Sequence, residues 1–312
     1  MRAVVVSAYG GPEALEVVNV PVPEPRRGQL RIRVEAAAVN PVDFATREGH
    51  MNVARPGVIR ERRHVGIGWD VAGTVEAIGA GVTAFAPGDP VIGLRDRLDQ
   101  DLGTYAEQVV LDAADAAPAP AGRGSVAAST IPLNGLTTVQ ALDALGLAAG
   151  QTILVTGAAG GLGGFGVELA AMRGLRVIAA AADDDEQLVR GLGAAGFVPR
   201  SADLAEAVRD LVPGGVDAAF DAAVVGYPAL DAVRAEGSFA AFAGAGPVPV
   251  RGIRMLPVNI HASGAALAGL ASLAAAGKLT LRVAGTYPLE DAARAHKRLE
   301  AGGVRGRLVL VP

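Results

Sequence analysis

ILVTGAAGGLGGFGVELA, residues 153–170, packs three structural parts into one short stretch. Ile153–Thr156 belongs to the brief run Thr152–Thr156, of the kind that forms a buried parallel strand. Gly157–Gly163 is a glycine-rich turn, and a helix with a small-residue face follows over Gly163–Met172. Ala158, Gly160 and Gly163 fall at the spacing of a dinucleotide-binding turn, with alanine in first place. A small residue at the first position permits the tight turn. The second lets the backbone approach a pyrophosphate, and the third lets the helix lie close to the strand. Amide N–H groups at the start of such a helix bind phosphate. Ala158, Gly160, Gly161, Leu162 and Gly163 are therefore the expected cofactor contacts. A glycine-rich turn in some other parallel sheet is the plain alternative. The flanking strand, the helix and a second strand at Arg176–Ala180 argue against it.

Outward from this turn, helix and strand signals alternate. Helices are predicted over Val126–Ser129, Gly135–Leu145, Glu186–Leu192, Leu204–Leu211 and Ala229–Ala235, with strands at Ala218–Asp221 and Ser238–Ala243. Such alternation implies a doubly wound parallel sheet, an α/β Rossmann architecture. A dinucleotide lacking a 2′-phosphate is recognised by an acid at the end of the second strand. Here that strand ends in Ala179–Ala182, with Ala181 at the expected adenosine contact, and Asp183 comes only beyond it. This favours NADP(H), although Asp183–Glu186 makes the segment acidic. Arg200 is the nearest basic side chain suited to a 2′-phosphate. Ala222, Ala223, Phe242 and Gly244 follow strand ends and are expected to border the nicotinamide half.

The first ~120 residues read differently. Arg2–Ser7, Leu15–Pro21, Gln29–Val39, Val71–Ile78, Asp89–Gly93 and Tyr105–Val110 are short strands separated by turn residues, which predicts an antiparallel barrel. Ala117–Gly124 is the expected linker. The tail carries a helix at Ala265–Ala276, a strand near Leu281–Ala284, a helix at Leu289–Ala301 and a strand at Arg307–Val311. With 51% hydrophobic and 19% charged residues the chain is not disordered. A net charge of −4 argues against nucleic acid as a partner. The absence of cysteine removes disulfides, thiol nucleophiles and Cys-ligated zinc. The uncharged run Ala144–Val167 is long enough to suggest a membrane span, but eight of its residues are glycine. It reads as strand, loop and helix instead. No membrane association and a cytoplasmic location are the expectations, and the N-terminus lacks the features of a signal peptide.

Several motifs together resemble the zinc-independent medium-chain dehydrogenases/reductases, of the quinone oxidoreductase (zeta-crystallin-like) branch. Val39-Asn40-Pro41-Val42-Asp43 looks like that family's active-site loop. Gly68-Trp69-Asp70-Val71-Ala72-Gly73, Gly79-x-Gly81 and Pro87-Gly88-Asp89 are similar to its barrel signature. Gly103-Thr104-Tyr105-Ala106-Glu107 and Leu136-Thr137-Thr138 match further stretches, as does the ending Gly306-Arg307-Leu308-Val309-Leu310, where relatives usually have Gly-Lys. The resemblance implies a GroES-like β-barrel over residues 1–121, a Rossmann domain over 122–258, and a segment 259–312 that returns to the first domain.

It also implies residue roles. Thr137 joins the cofactor contacts. Asn40 is expected as a catalytic amide that donates to a substrate oxygen, and Asp43 as the residue orienting its loop. Where relatives have a tyrosine shortly after the loop, this chain has Arg47-Glu48-Gly49-His50-Met51. His50 is the candidate proton donor, since imidazole exchanges protons near neutral pH. The following loop carries Arg55, Arg60, Arg62 and Arg63, either a solvated run or a cover for an anionic substrate. Zinc-dependent relatives have Gly-His-Glu where Gly68-Trp69-Asp70 stands, so no metal is expected. Trp69 reads as barrel packing, and Asp70 and Asp89 as turn residues. Arg251–Ile260 looks like a dimer-edge strand, so a homodimer is expected.

The implied activity is NADPH-dependent hydride transfer to a small-molecule quinone or α,β-unsaturated carbonyl without metal. An enoyl-thioester or alcohol/aldehyde reductase, or a catalytically idle NADPH-binding protein, are the alternatives.

Overall fold

A computed structural model of the chain describes residues 1–54, 56–57, 64–98, 100–242 and 246–312. Two compact units emerge: Met1–Leu136 together with His261–Pro312, and Thr137–Ile260.

In the second unit the strands Thr152–Thr156, Arg176–Ala181, Gly196–Pro199, Val216–Asp221, Val233–Ala241 and Arg254–Pro257 form one parallel sheet. Numbered in chain order within the unit, their spatial order is 3-2-1-4-5-6, that of a Rossmann fold. Every residue of Thr152–Thr156 is buried, as expected of a central strand covered on both faces. Leu154, Ile178, Val198, Leu230 and Phe239 are among the fully buried core side chains, each contributing roughly 1.5–3 kcal/mol by burial. Two expectations shift. The helix placed at Ala229–Ala235 runs over Tyr227–Ala232, because the chain turns extended at Val233 to join the sheet. The edge strand is shorter than Arg251–Ile260: Arg251 has φ +52 and stands in a turn outside it.

The first unit is the predicted GroES-like barrel domain. Its main sheet has the strand order Val283–Pro288, Arg307–Val311, Gln29–Val39, Asp70–Ile78, Pro90–Leu94 and Ala116–Pro118, with Gln108–Asp112 also paired to Gln29–Val39. The long strand Gln29–Val39 carries this arrangement by pairing antiparallel with three neighbours. Ala116–Pro118 overlaps the start of the expected linker, yet it pairs with Val91–Gly93: small apolar residues at Ala116 and Ala117 are buried there. Tyr105 lies before its expected strand rather than in it, and Ala106 makes only an isolated bridge to Ala3. Among the described residues no helix is long and apolar enough to cross a membrane.

Candidate active-site residues and cofactor loop

In the second unit, a parallel sheet of order 3-2-1-4-5-6 reverses between Thr152–Thr156 and Val216–Asp221, and ligands bind beyond the carboxyl ends of strands at such a point. The glycine turn leaves the first of these strands there. Gly157 takes φ +58, a conformation that favours glycine. A Cβ on Gly163 would stand 2.2 Å from the Gly157 carbonyl oxygen, so the helix Gly161–Met172 starts in contact with the turn. The first amides of a helix have no partner within it. Here the N-cap is Gly160, which has no side chain to cap them. This cradle fits a pyrophosphate: any larger side chain at position 163 would push the helix start off the turn and displace the amides that would meet the phosphates. Ala158 is buried, whereas Gly160, Gly161 and Leu162 are partly exposed.

The neighbouring strand end is tied to the same place. Thr156 Oγ1 donates to Asp221 Oδ1 (2.6 Å), and the Ala223 amide donates back to Thr156 Oγ1 (3.0 Å). Asp221 also accepts the Val225 and Gly226 amides at 3.1 and 2.9 Å. Between these, Val224 has φ +54, a strained conformation for a β-branched residue. Ala222 and Ala223 therefore sit in a loop fixed by a buried carboxylate. Sequence reading named those alanines but not the Thr156–Asp221 lock. Its signal is a lone acid closing an apolar strand.

Ala181 is buried at the end of the second strand. The Arg200 amide donates to the Ala181 carbonyl (2.7 Å), so strand pairing brings exposed Arg200 beside that strand end. Asp183 is exposed but engaged: Ser201 Oγ donates to its carboxylate at 2.7 Å. Thr137 is half-buried and Phe242 is buried against Phe220, with ring centroids 4.6 Å apart. Gly244 and the arginines Arg55, Arg60, Arg62 and Arg63 lie outside the described residues.

In the first unit, the segment read as a loop from Asn40 is a helix, Pro41–Arg47. Asn40 is its N-cap, Pro41 supplies a fixed φ at the first position, and Asp43 Oδ2 reaches back to accept the Asn40 amide (2.8 Å). The Asn40 side chain is fully buried. Its Nδ2 donates to Asp70 Oδ2 (2.6 Å) and to the Ala38 carbonyl (3.3 Å), and its Oδ1 accepts from Asn134 Nδ2 (3.2 Å). An amide so committed has no hydrogen left for a substrate. The Asn40 side chain thus faces protein partners rather than an open donor position.

Asp70 is likewise not a turn residue. It opens a strand, is fully buried, and its Oδ1 accepts the Leu133 amide at 2.5 Å. Arg307 closes this chain by donating to Asn134 Oδ1. Arg307 can only donate and ionised Asp70 can only accept, so the two asparagine amides between them have one orientation. Burial raises the pKa of both Asp43 and Asp70 to about 7, against the pull of their hydrogen bonds and of Arg307. Burial lowers Arg307 to about 10.

His50 sits at the start of the short helix His50–Ala54, its ring exposed and 3.5 Å from Glu48. His296, which sequence reading did not single out, is fully buried between Arg47 and Tyr105. Burial first, and then the Arg47 charge, lower its pKa from 6.5 to about 3. A depressed histidine contributes nothing pH-dependent above pH 6.5, where the ring is neutral in both states. As pH falls from 6.5 to 3 the unfolded chain takes up a proton that the folded chain refuses. Stability is then lost at up to about 1.4 kcal/mol per pH unit. The raised Asp43 and Asp70 act oppositely, losing stability as pH rises from about 4 to about 7. The difference in unfolding free energy between the wild type and His296→Phe isolates the histidine. It is expected to shrink as pH falls from 6.5 to 3 and to stay flat above 7 in urea titrations.

Trp69 is buried with no hydrogen-bond partner for Nε1, and indole nitrogen is a donor that does not ligate metal. Asp70 has both oxygens occupied by N–H groups. No group of three or more His, Cys, Asp or Glu side chains suited to a metal occurs among the described residues. These residues do not fit a zinc centre.

Residues 26–121 match the alcohol dehydrogenase GroES-like domain, and residues 192–310 match the zinc-binding dehydrogenase model. The chain is 31% identical over 326 residues to the NADPH-dependent alkenal/one oxidoreductase, chloroplastic, of Arabidopsis thaliana, covering 100% of this chain and 80% of that protein. It is 35% identical over 201 residues to the chloroplast envelope quinone oxidoreductase homolog of the same plant. That match covers 62% of this chain and only 59% of that protein's length. Among solved structures, an NAD-dependent alcohol dehydrogenase aligns with a TM-score of 0.88 at 33% identity, over 100% of both chains.

Proposed function

The chain belongs to the medium-chain dehydrogenase/reductase family, and on that premise we propose that it is an NADPH-dependent reductase of quinones or α,β-unsaturated carbonyls that works without a metal. The observation that carries this reading is the glycine cradle at the sheet's switch point, with Arg200 hydrogen-bonded to the Ala181 strand end. Gly160, Gly161, Leu162 and Gly163 would hold the pyrophosphate, Ala181 and Arg200 the 2′-phosphate, and Thr137, Ala222, Ala223, Phe242 and Gly244 the remainder. When bound, the nicotinamide supplies the hydride. His50 supplies the proton that follows to the reduced acceptor, from an exposed ring that exchanges with solvent. Asn40 holds Asp70 and the start of its helix in place. Zinc plays no part, since the family's metal-binding position is Trp69 here.

An alcohol or aldehyde reductase is the second reading, favoured by the likeness to an alcohol dehydrogenase fold. Two copies pairing along the outer strand Arg254–Pro257 form the proposed homodimer.

Fluorescence titration is expected to give at least ~10-fold tighter binding of NADPH than of NADH, and equal affinities would remove the 2′-phosphate argument. Consumption of NADPH, followed by absorbance, is expected with quinones and enones. Consumption with aldehydes alone would replace the leading reading by the second.

A further inference from the structure

We propose that His296 is a positioning residue for the reduction: from the C-terminal helix Ala292–Glu300 it grips both ends of the helix Pro41–Arg47 and so fixes the placement of His50. The hydrogen bonds have a forced direction. The Arg47 guanidinium only donates, so its Nη1 gives a hydrogen to His296 Nδ1 (3.1 Å). The neutral ring then carries its own hydrogen on Nε2, facing the Tyr105 hydroxyl oxygen (3.3 Å). Tyr105 in turn donates to Asp43 Oδ2 (3.0 Å), the same oxygen that caps the Asn40 amide. One imidazole thus reaches the first turn of the helix through Tyr105 and its last residue directly.

Neighbouring contacts reinforce the grip. The Phe44 ring meets the imidazole edge-on at 4.8 Å. Glu300, one helical turn after His296, accepts from Arg47 Nη2 at 2.7 Å, and Arg47 Nε donates to the Gly10 carbonyl at 3.0 Å. Beyond Arg47 the path to His50 is only Glu48 and Gly49, with the Tyr9 ring packed beside it. Gly49 has φ +78, and a Cβ there would stand 2.8 Å from the Tyr9 ring. The Tyr9 hydroxyl accepts from Asn52 Nδ2, so the turn into His50–Ala54 is pinned on its far side as well. A tilt of Pro41–Arg47 is therefore passed on to His50.

The catalytic half of this inference rests on the reading of His50 as proton source. The test separates the two. His296→Phe keeps the ring shape and deletes both hydrogen bonds. His296→Gln restores an acceptor for Arg47 and a donor for Tyr105. With NADPH and an enone, His296→Phe is expected to lower kcat at least ~10-fold per folded enzyme, with the NADPH dissociation constant unchanged and His296→Gln restoring most of the rate. Tyr105→Phe, which keeps the Arg47 contact and cuts the link to Asp43, should lower kcat similarly and serves if His296→Phe does not fold. In parallel, the His50 ring signals in a heteronuclear NMR spectrum should shift in His296→Phe and return in His296→Gln. Unmoved His50 signals would overturn the proposal whatever the activity. Shifted signals with unchanged kcat would keep the mechanical link and overturn its catalytic part.

Discussion

Arg307→Met is expected to destabilise the first unit by about 3–5 kcal/mol, the usual cost of breaking a buried charge cluster on one side. Arg307 faces two fully buried carboxyl groups, Asp43 and Asp70, and its Nη2 occupies Asn134 Oδ1. Methionine fills much of the volume but removes the positive charge and the hydrogen bond that Arg307 donates to Asn134 Oδ1. The chain Asn134–Asn40–Asp70 also loses the donor-only end that orients it. The carboxyls respond by holding their protons more tightly, so the folded state gains relative stability in acid. The loss is therefore larger at pH 8 than at pH 6. Arg307→Lys keeps the charge without the planar fork and is expected to fall between the two. Trp69 is the single tryptophan and is buried in this unit, so its fluorescence in urea reads the loss directly.

Gly163→Val is expected to weaken NADPH binding by at least ~100-fold, or about 3 kcal/mol. Its Cβ would stand 2.2 Å from the Gly157 oxygen, 2.6 Å from that carbonyl carbon and 3.0 Å from the Ala158 Cα. All three are backbone atoms, so no side chain can swing aside. The helix start or the turn must move, and with it the amides that would bind phosphate. Gly191→Ala is the control: it lies on a helix of the same unit with open space around it, and the affinity is expected to be unchanged.

The Rossmann unit was legible because its determinants are local. The run ILVT, the glycine spacing and the small-residue helix lie within eighteen residues, and each has a physical requirement that few residue types meet. The Asn40-Pro41-Val42-Asp43 segment was legible in part. An N-cap residue, a proline at the first helical position and an acid two residues on are helix-start signals. The polar network was not legible. The stretch AARAHKRLE does hint at a buried His296, which falls four residues after Ala292 on the apolar face of an amphipathic helix, but it says nothing of what the ring meets there. Its partners Arg47 and Tyr105 are 249 and 191 residues away in sequence. Asp70 looked like a turn acid because glycines flank it at short range, whereas the fold uses it as a buried acceptor for Asn40 and Leu133.

Transfer of deuterium is the most direct test of the account. The protein is incubated with NADPH labelled at C4 of the nicotinamide, in each of the two stereochemical forms, together with an α,β-unsaturated ketone, and the product is read by mass spectrometry and NMR. The account predicts one deuterium at the carbon β to the carbonyl from one of the two labelled forms, and a solvent-derived hydrogen at the α carbon. Tight binding of NADPH with no label in the product of any enone, and no turnover of quinones, would contradict it.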